Sequence, residues 1–507
     1  MFKYHQLFLL LLHINSAAPW AENTLATLSR AEKVGQLIAA RIESSFAPEY
    51  IEQLIDTYKV GAFIPLQYWT LEKHTELINS LHNLYPHTIK TPVLILEDAE
   101  WGINMHIPEI PGFPKAMTLA ATHDTDLIYR VGSAIGAQCA AVGIHLNIAP
   151  VVDVNADARN PVIGMRSFGD NTNTVTTYAL AYAQGLTDAG IMVCLKHFPG
   201  HGTTHTDPHI TLPILTDPLD SAKRAAIFDP FFDIMQQLPC SVMVGHIAYP
   251  ALESDGIIKP ASCSQKLVEM LTPVMNSNTL IISDALNMGA LAAYGNPGDI
   301  ALQALKAGID MLLCPPDIEA VMQRISEALD TGEYTEAELD AHVLKILQVK
   351  EKLNVHAQKK QDNPNLNLYE ELIQKASDAA ATACNDFERA QLDNTHTSVT
   401  LGAPRAAQAP FYDPAINYTQ PLLIHLYPGS HKIHRLSDEL KKSIAQIAER
   451  YPESIVLLFG SPYCLIDIPS SLPALVLYED TLYTHMTAEK IMTGMLTPQG
   501  KLPISLN

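Results

Sequence analysis

The stretch "LKHFPGHGTTHTDPHITLP", Leu195 to Pro213, sets His197, His201, His205 and His209 at intervals of four. On a helix that spacing stacks four imidazoles on one face, as in a metal site. The local chemistry forbids the helix. Pro199, Gly200, Gly202 and Pro208 interrupt the segment, and each proline pushes the residue before it out of the α region. The stretch is expected to be a long extended loop, so the interval carries no geometry. It begins directly after the apolar run Ile191–Leu195, which makes it the extension of a strand.

Seven further apolar runs keep company with this one. The full set is "GQLIAARI" (35–42), "VGAFIPL" (60–66), "PVLILED" (92–98), "HLNIAPV" (145–151), "MVCLKHF" (192–198), "VMVGHIA" (242–248), "TLIISDA" (279–285) and "DMLLCPP" (310–316). These are continuous rather than alternating, as expected of parallel strands covered on both faces. Helical stretches lie between them, among them 127–143 and 299–308. Eight strands with intervening helices predict an α/β fold, a (β/α)8 barrel over residues 25–352. Asp98, Lys196, His197, His246 and Asp284 all sit at or just past the end of a run. Barrel active sites gather at that face, so these residues are expected to converge.

After residue 352 the composition turns polar and proline-rich. Residues 353–420 read as a connecting region with one helix near 368–384. Residues 421–507 read as a short C-terminal α/β domain, with strands in "PLLIHLYPG", "SIVLLFGSP" and "PALVLYED" and helices at 436–451 and 481–496. At the other end, Lys3 precedes an apolar run from Leu7 to Ile14 and then small residues. That run is too short to span a bilayer and fits a secretory signal over 1–21, cut near Ala17 to Ala21. The plainer reading is a buried N-terminal helix. The chain is therefore expected to be exported, periplasmic or secreted, with no stable membrane insertion.

The net charge of −21 on 507 residues argues against nucleic-acid binding, which leaves a basic footprint. The seven cysteines are scattered, odd in number and without paired spacing, so neither a disulfide framework nor a zinc site is indicated. No metal and no cofactor are expected.

Individual residues carry the chemistry. Asp284 ends an apolar strand, where a carboxylate costs free energy unless paired or used; the alternative is a helix N-cap. In Asp207-Pro208-His209, an Asp two residues from a His can accept its Nδ1–H, fix the tautomer and favour a proton donor. Alone, that pair also reads as a solvated loop. Lys196 follows a buried run, and a buried Lys is rare unless paired. Arg166, in "NPVIGMRSFGDN", lies in a loop after the fourth strand, where a surface arginine is the default.

With these segments quoted, the sequence resembles glycoside hydrolase family 3, and within it the bacterial β-N-acetylglucosaminidases. "KHFPGHGTTHTDPHITLP" matches the family pattern K-H-F-P-G-H-G, four residues, D-S-H, then L-P, with Pro208 in place of Ser. "APVVDVN" (149–155), "RSFGDN" (166–171), "GHIAYPALE" (245–253), "LIISDALNM" and "ALKAGIDMLLCPPD" (304–317) match in order. The resemblance implies that Asp284 is the nucleophile and His209 the general acid/base, partnered by Asp207. It places Asp98, Arg166, Lys196 and His197 against sugar hydroxyls. It implies a retaining exo-glycosidase that removes terminal N-acetyl-β-D-glucosamine from a peptidoglycan fragment or chitin oligosaccharide by double displacement. Two departures stand out: the family's D-Q-E-G-G is here "DAEWG" (98–102), and a sugar-binding Arg is here His106, retained as a substrate-binding candidate. A β-glucosidase-like exo-glycosidase is the nearest alternative. A catalytically degraded carbohydrate-binding protein and a metal-dependent hydrolase are the rivals from other classes.

Overall fold

The computed structural model describes residues 19–506 apart from 89–90, 217–220, 254–257, 277–278, 356–368, 391–395, 405–408 and 431–433. The N-terminal apolar run, and with it the signal expected over 1–21 up to residue 18, lies outside the described residues. No helix among the described residues is long and apolar enough to cross a membrane.

Each of the eight apolar runs contributes a strand. In chain order they are β1 (Ile38–Glu43), β2 (Ala62–Leu66), β3 (Leu94–Glu97), β4 (Leu146–Asn147), β5 (Met192–Phe198), β6 (Ser241–Val244), β7 (Ile281–Ser283) and β8 (Leu312–Leu313). They pair in parallel in sequence order, β1 also pairs with β8, and an Ile282–Met311 bridge closes the ring. Almost every strand residue is buried, which is why the runs do not alternate. Helices start where their caps dictate: Asp124 accepts the Leu127 N–H before Thr125–Ala141, and Asn171 caps Thr172–Asp188. These two helices press together at Gly132 and Gly185, where a Cβ would strike the facing carbonyls of Tyr182 and Tyr129.

The second unit is a five-stranded sheet in the order β10-β11-β12-β13-β9. Its strands are β9 (Thr382–Cys384), β10 (Thr397–Gly402), β11 (Leu422–Tyr427), β12 (Ile455–Leu458) and β13 (Ala474–Val476). Here the structure corrects the expectation for residues 353–420. That region is more than a connector, because it supplies both β9 and β10. Neither has a strong signal: β9 is three residues long, and β10 ("TSVTLG") is half polar. Helix Asp438–Arg450 lies on one face of the sheet, with Ile444 and Ile447 in an apolar cluster that also takes in Met117, Ala121 and Met165 of the barrel. The units therefore share a core. Helix Leu482–Met492 packs on the opposite face.

Candidate active site

The strand ends surround a cavity of about 390 Å³ at the C-terminal mouth of the barrel. Asp98, Arg166, Lys196, His197, His209 and Asp284 all line it, with Glu100, Trp101 and His201. Six of the eight expected site residues thus meet in one space. Asp207 stands directly behind His209. His106 does not reach the cavity: its Nδ1 lies 3.0 Å from the Gln67 carbonyl and its Nε2 3.6 Å from Glu97 Oε1.

Lys196 and His197 are consecutive in β5, yet both line the cavity. The β5–β6 register shifts between Leu195 and Phe198, and such an irregularity re-aims side chains that strict alternation sends apart. Lys196 Nζ then reaches Asp98 Oδ1 at 2.6 Å and Glu100 Oε1 at 2.7 Å. Arg166 donates to both Glu100 oxygens, Nη2 at 2.6 Å and Nε at 3.0 Å. Burial alone favours the neutral carboxyl, but Arg166 and Lys196 hold Glu100 well below the usual carboxylate range. The same carboxylates overcome burial in the other direction and keep Lys196 above its ordinary value.

His197 donates from Nδ1 to Asp153 Oδ2 at 2.7 Å, which turns Nε2 toward Arg166 at 3.4 Å. Asp153 is fully buried and also accepts the His201 backbone N–H at 2.5 Å. Against burial, His197 and His201 hold its carboxyl below the ordinary range. Burial pushes the His201 imidazole down to about 4, so it is neutral at physiological pH, and its Nδ1 meets Thr204 Oγ1 at 2.5 Å.

Asp284 follows β7 and is not a helix N-cap, since the next helix starts at Gly289. Its N–H donates to the Val244 carbonyl at 2.9 Å, and its Oδ1 accepts the Ala285 N–H at 2.8 Å. Burial opposes its charge, but His246, His197, the Ala285 N–H and Lys196 together hold the carboxyl below its ordinary value. His246 at the end of β6 is fully buried; its Nε2 donates to the Ala285 carbonyl at 3.1 Å, and Nδ1 meets Ser262 Oγ at 2.8 Å.

His209 reaches the cavity from the long loop, with its side chain 60% exposed and Nδ1 donating to Asp207 Oδ1 at 2.7 Å. The loop docks on the turn after Asp284: Ala290 N–H meets the Pro208 carbonyl at 2.9 Å, and Gly289 N–H the His209 carbonyl at 3.2 Å. A Cβ at Gly289 would lie 2.5 Å from that carbonyl, so this approach requires glycine. The four regularly spaced histidines therefore go to separate partners: Asp153, Thr204, Asp207, and for His205 the exposed Asp157–Arg159 pair. Among the described residues no group of three or more His, Cys, Asp or Glu is arranged to hold a metal ion.

Two carboxylates of the site were not singled out from the sequence. Glu100 follows Asp98 by two positions, and Asp153 lies within the quoted "APVVDVN". The available signal was a carboxylate just beyond a strand end.

A (β/α)8 barrel with a carboxylate-rich mouth and a second α/β unit defines the class, and the sequence agrees. Residues 29–349 match the Glycosyl hydrolase family 3 N terminal domain, and the chain belongs to that family. It is 31% identical over 335 residues to Beta-hexosaminidase A of Pseudoalteromonas piscicida, covering 60% of this chain and 56% of that protein. It is 30% identical over 338 residues to Beta-hexosaminidase LpqI of Mycobacterium tuberculosis, covering 64% and 84%. Across both units the fold is similar to a family 3 beta-N-acetylglucosaminidase from Paenibacillus sp. str. FPU-7, with a TM-score of 0.79 at 23% identity, covering 95% and 99%. The match to the Pseudoalteromonas protein spans little more than half of that relative's length.

Proposed function

We propose that the protein is a retaining exo-glycosidase that removes terminal N-acetyl-β-D-glucosamine residues. The observation that carries the reading is the pairing in one cavity of an ionised Asp284 with the His209–Asp207 dyad. The names of the β-hexosaminidase relatives support the sugar. Asp284 attacks the anomeric carbon while His209, protonated on both nitrogens, passes its Nε2 proton to the leaving oxygen. Its Nδ1 stays bonded to Asp207. The resulting neutral imidazole takes a proton from water, which hydrolyses the glycosyl–Asp284 ester and regenerates both groups. Two displacements retain the configuration. Asp98, Lys196, Arg166 and His197 orient the sugar hydroxyls, and Glu100 and Asp153 hold three of those four in place.

We place the enzyme outside the cytoplasm, on the signal-like N-terminus, acting on a peptidoglycan fragment or chitin oligosaccharide. The barrel and the five-stranded unit are proposed as the two domains, the second beginning with the helix Glu370–Ala380.

The test is nitrophenol release from 4-nitrophenyl N-acetyl-β-D-glucosaminide by wild type and Asp284→Asn, with and without chelator. Turnover that ignores chelator and vanishes in the variant is expected. Activity persisting in the variant overturns the assignment of the nucleophile. A folded wild type that binds the sugar without turnover would be a binding protein instead.

A further inference from the structure

We propose that Trp101 is the aromatic wall against which the bound pyranose packs, and that Lys115 and Glu479 are positioning residues holding it from the second unit. The proposal rests on the glycosidase reading above.

Trp101 stands where the family pattern quoted above has glycine. Among the described residues lining the catalytic cavity it is the one Phe, Tyr or Trp. The other side chains there that face a sugar include Asp98, Lys196 and His197, which suit hydroxyl groups. A pyranose also presents a face of C–H bonds, and an indole is the surface that desolvates it.

The indole is held from behind. Lys115 Nζ lies 4.7 Å from the Trp101 ring centroid, a cation–π distance. That ammonium is fixed by Glu479, immediately beyond β13 of the second unit: Nζ meets Oε2 at 2.6 Å, and the Lys115 N–H meets Oε1 at 2.8 Å. Thr118 Oγ1 donates to the same Oε1 at 2.8 Å. Glu479 is 8% exposed, and Lys115 overcomes its burial to hold the carboxyl below the ordinary range. Lys115 and Glu479 line a separate cavity of about 460 Å³ between the units, which Trp101 does not line. The ring thus meets both the ammonium and the sugar space, which Lys115 itself does not line. The Trp101 carbonyl accepts the Phe113 N–H at 2.9 Å, so its backbone is tied as well. Through this chain of contacts the second unit braces a wall of the cavity, although none of its described residues lines that space.

The experiment is a kinetic cycle on the full-length protein with the nitrophenyl N-acetylglucosaminide, thermal midpoints serving as the fold control. Trp101→Ala is expected to raise KM by about tenfold with little change in kcat, and Trp101→Phe to recover most of the loss. Glu479→Gln is expected to raise KM by about threefold in the wild-type background and not at all in Trp101→Ala. An unchanged KM in Trp101→Ala overturns the wall. A Glu479→Gln effect that persists in full without the indole overturns the positioning role. If wild type shows no turnover, the glycosidase reading fails, and calorimetric titration of wild type and Trp101→Ala with N-acetylglucosamine then decides the wall. A Kd weakened about tenfold in the variant supports it, while equal affinity or no binding by wild type overturns it.

Discussion

Two glutamates three positions apart, Glu97 and Glu100, both bury their side chains and have opposite fates. Glu100 sits between Lys196 and Arg166 and is ionised. Glu97, the last residue of β3, faces imidazoles, His74 Nε2 at 3.4 Å and His106 Nε2 at 3.6 Å, and the neighbouring Asp98 carboxylate adds to the push of burial. Burial pushes Glu97 up to about 8 and drives His74 down to about 4, so both are neutral at physiological pH. The lysines repeat the contrast. Lys196 has two carboxylates and stays charged, whereas Lys350 meets, among the described residues, Gln36 Oε1 at 2.6 Å and the Gly61 carbonyl at 2.8 Å. Burial lowers Lys350 to about 7. Depth does not decide charge here; an opposite partner does.

Breaking the paired side has the largest expected effect. Glu100→Gln leaves Lys196 and Arg166 short of an anion in a buried site, and loss of one partner of such a pair costs roughly 3–5 kcal/mol. Urea unfolding measures that loss, and nitrophenol release is expected to fall by about a hundredfold or more, since Arg166 loses its carboxylate anchor and Lys196 keeps only Asp98. A variant with wild-type stability would mean that the cluster is solvated.

Lys350→Met tests the unpaired cation. The folded pKa, about 7, lies below the ordinary 10.5, so between those values the unfolded chain binds the extra proton. The contribution of Lys350 to stability therefore grows as pH rises through that window and is lost as pH falls through about 7. Relative to Lys350→Met, wild type is expected to gain stability from neutral to alkaline pH, read from urea midpoints. Parallel pH curves would contradict a depressed lysine.

Glu97 has the reverse sign. Its folded pKa of about 8 exceeds the ordinary 4.5, so the folded state keeps a proton that the unfolded chain releases. The advantage is full below 4.5 and is lost as pH rises through about 8. Glu97→Gln, a neutral isostere, is expected to match wild type within about 1 kcal/mol at the acid end and to escape the alkaline loss. The smallest and sharpest change is His106→Arg, which supplies Glu97 with the missing cation. It is expected to flatten the same alkaline loss without touching the catalytic cavity, and pH-dependent unfolding of both variants side by side checks it.

The barrel was legible because parallel strands covered on both faces leave unbroken apolar runs, and eight such runs in order admit few topologies. The sheet of the second unit was only partly legible. β11, β12 and β13 are apolar runs of the same kind, but β9 is too short to register, and its place beside β13 is a long-range choice. In the site, Asp98, Lys196, His197 and Asp284 announced themselves as polar groups ending apolar runs. Glu100 and Asp153 did not, because their importance lies in which cations and imidazoles they meet across strands. His106 was placed by its position in a motif, and the contact with the Gln67 carbonyl, which turns it from the cavity, has no signature in the sequence.

The pairing of β9 with β13 also sets an order of events. Thr382 opposes Val476 and Cys384 opposes Ala474, antiparallel, so the first strand of the second sheet bonds to the last one made. Emerging from the ribosome, the barrel can complete its ring while β9 is still waiting with its edge open. Loop closure across such a span delays the pairing relative to local contacts. For that interval Glu479, which lies beyond β13, has yet to be made, and Lys115 in the finished barrel is without its anchor. The brace behind Trp101 is thus set only once Glu479 has been translated, long after Trp101 itself.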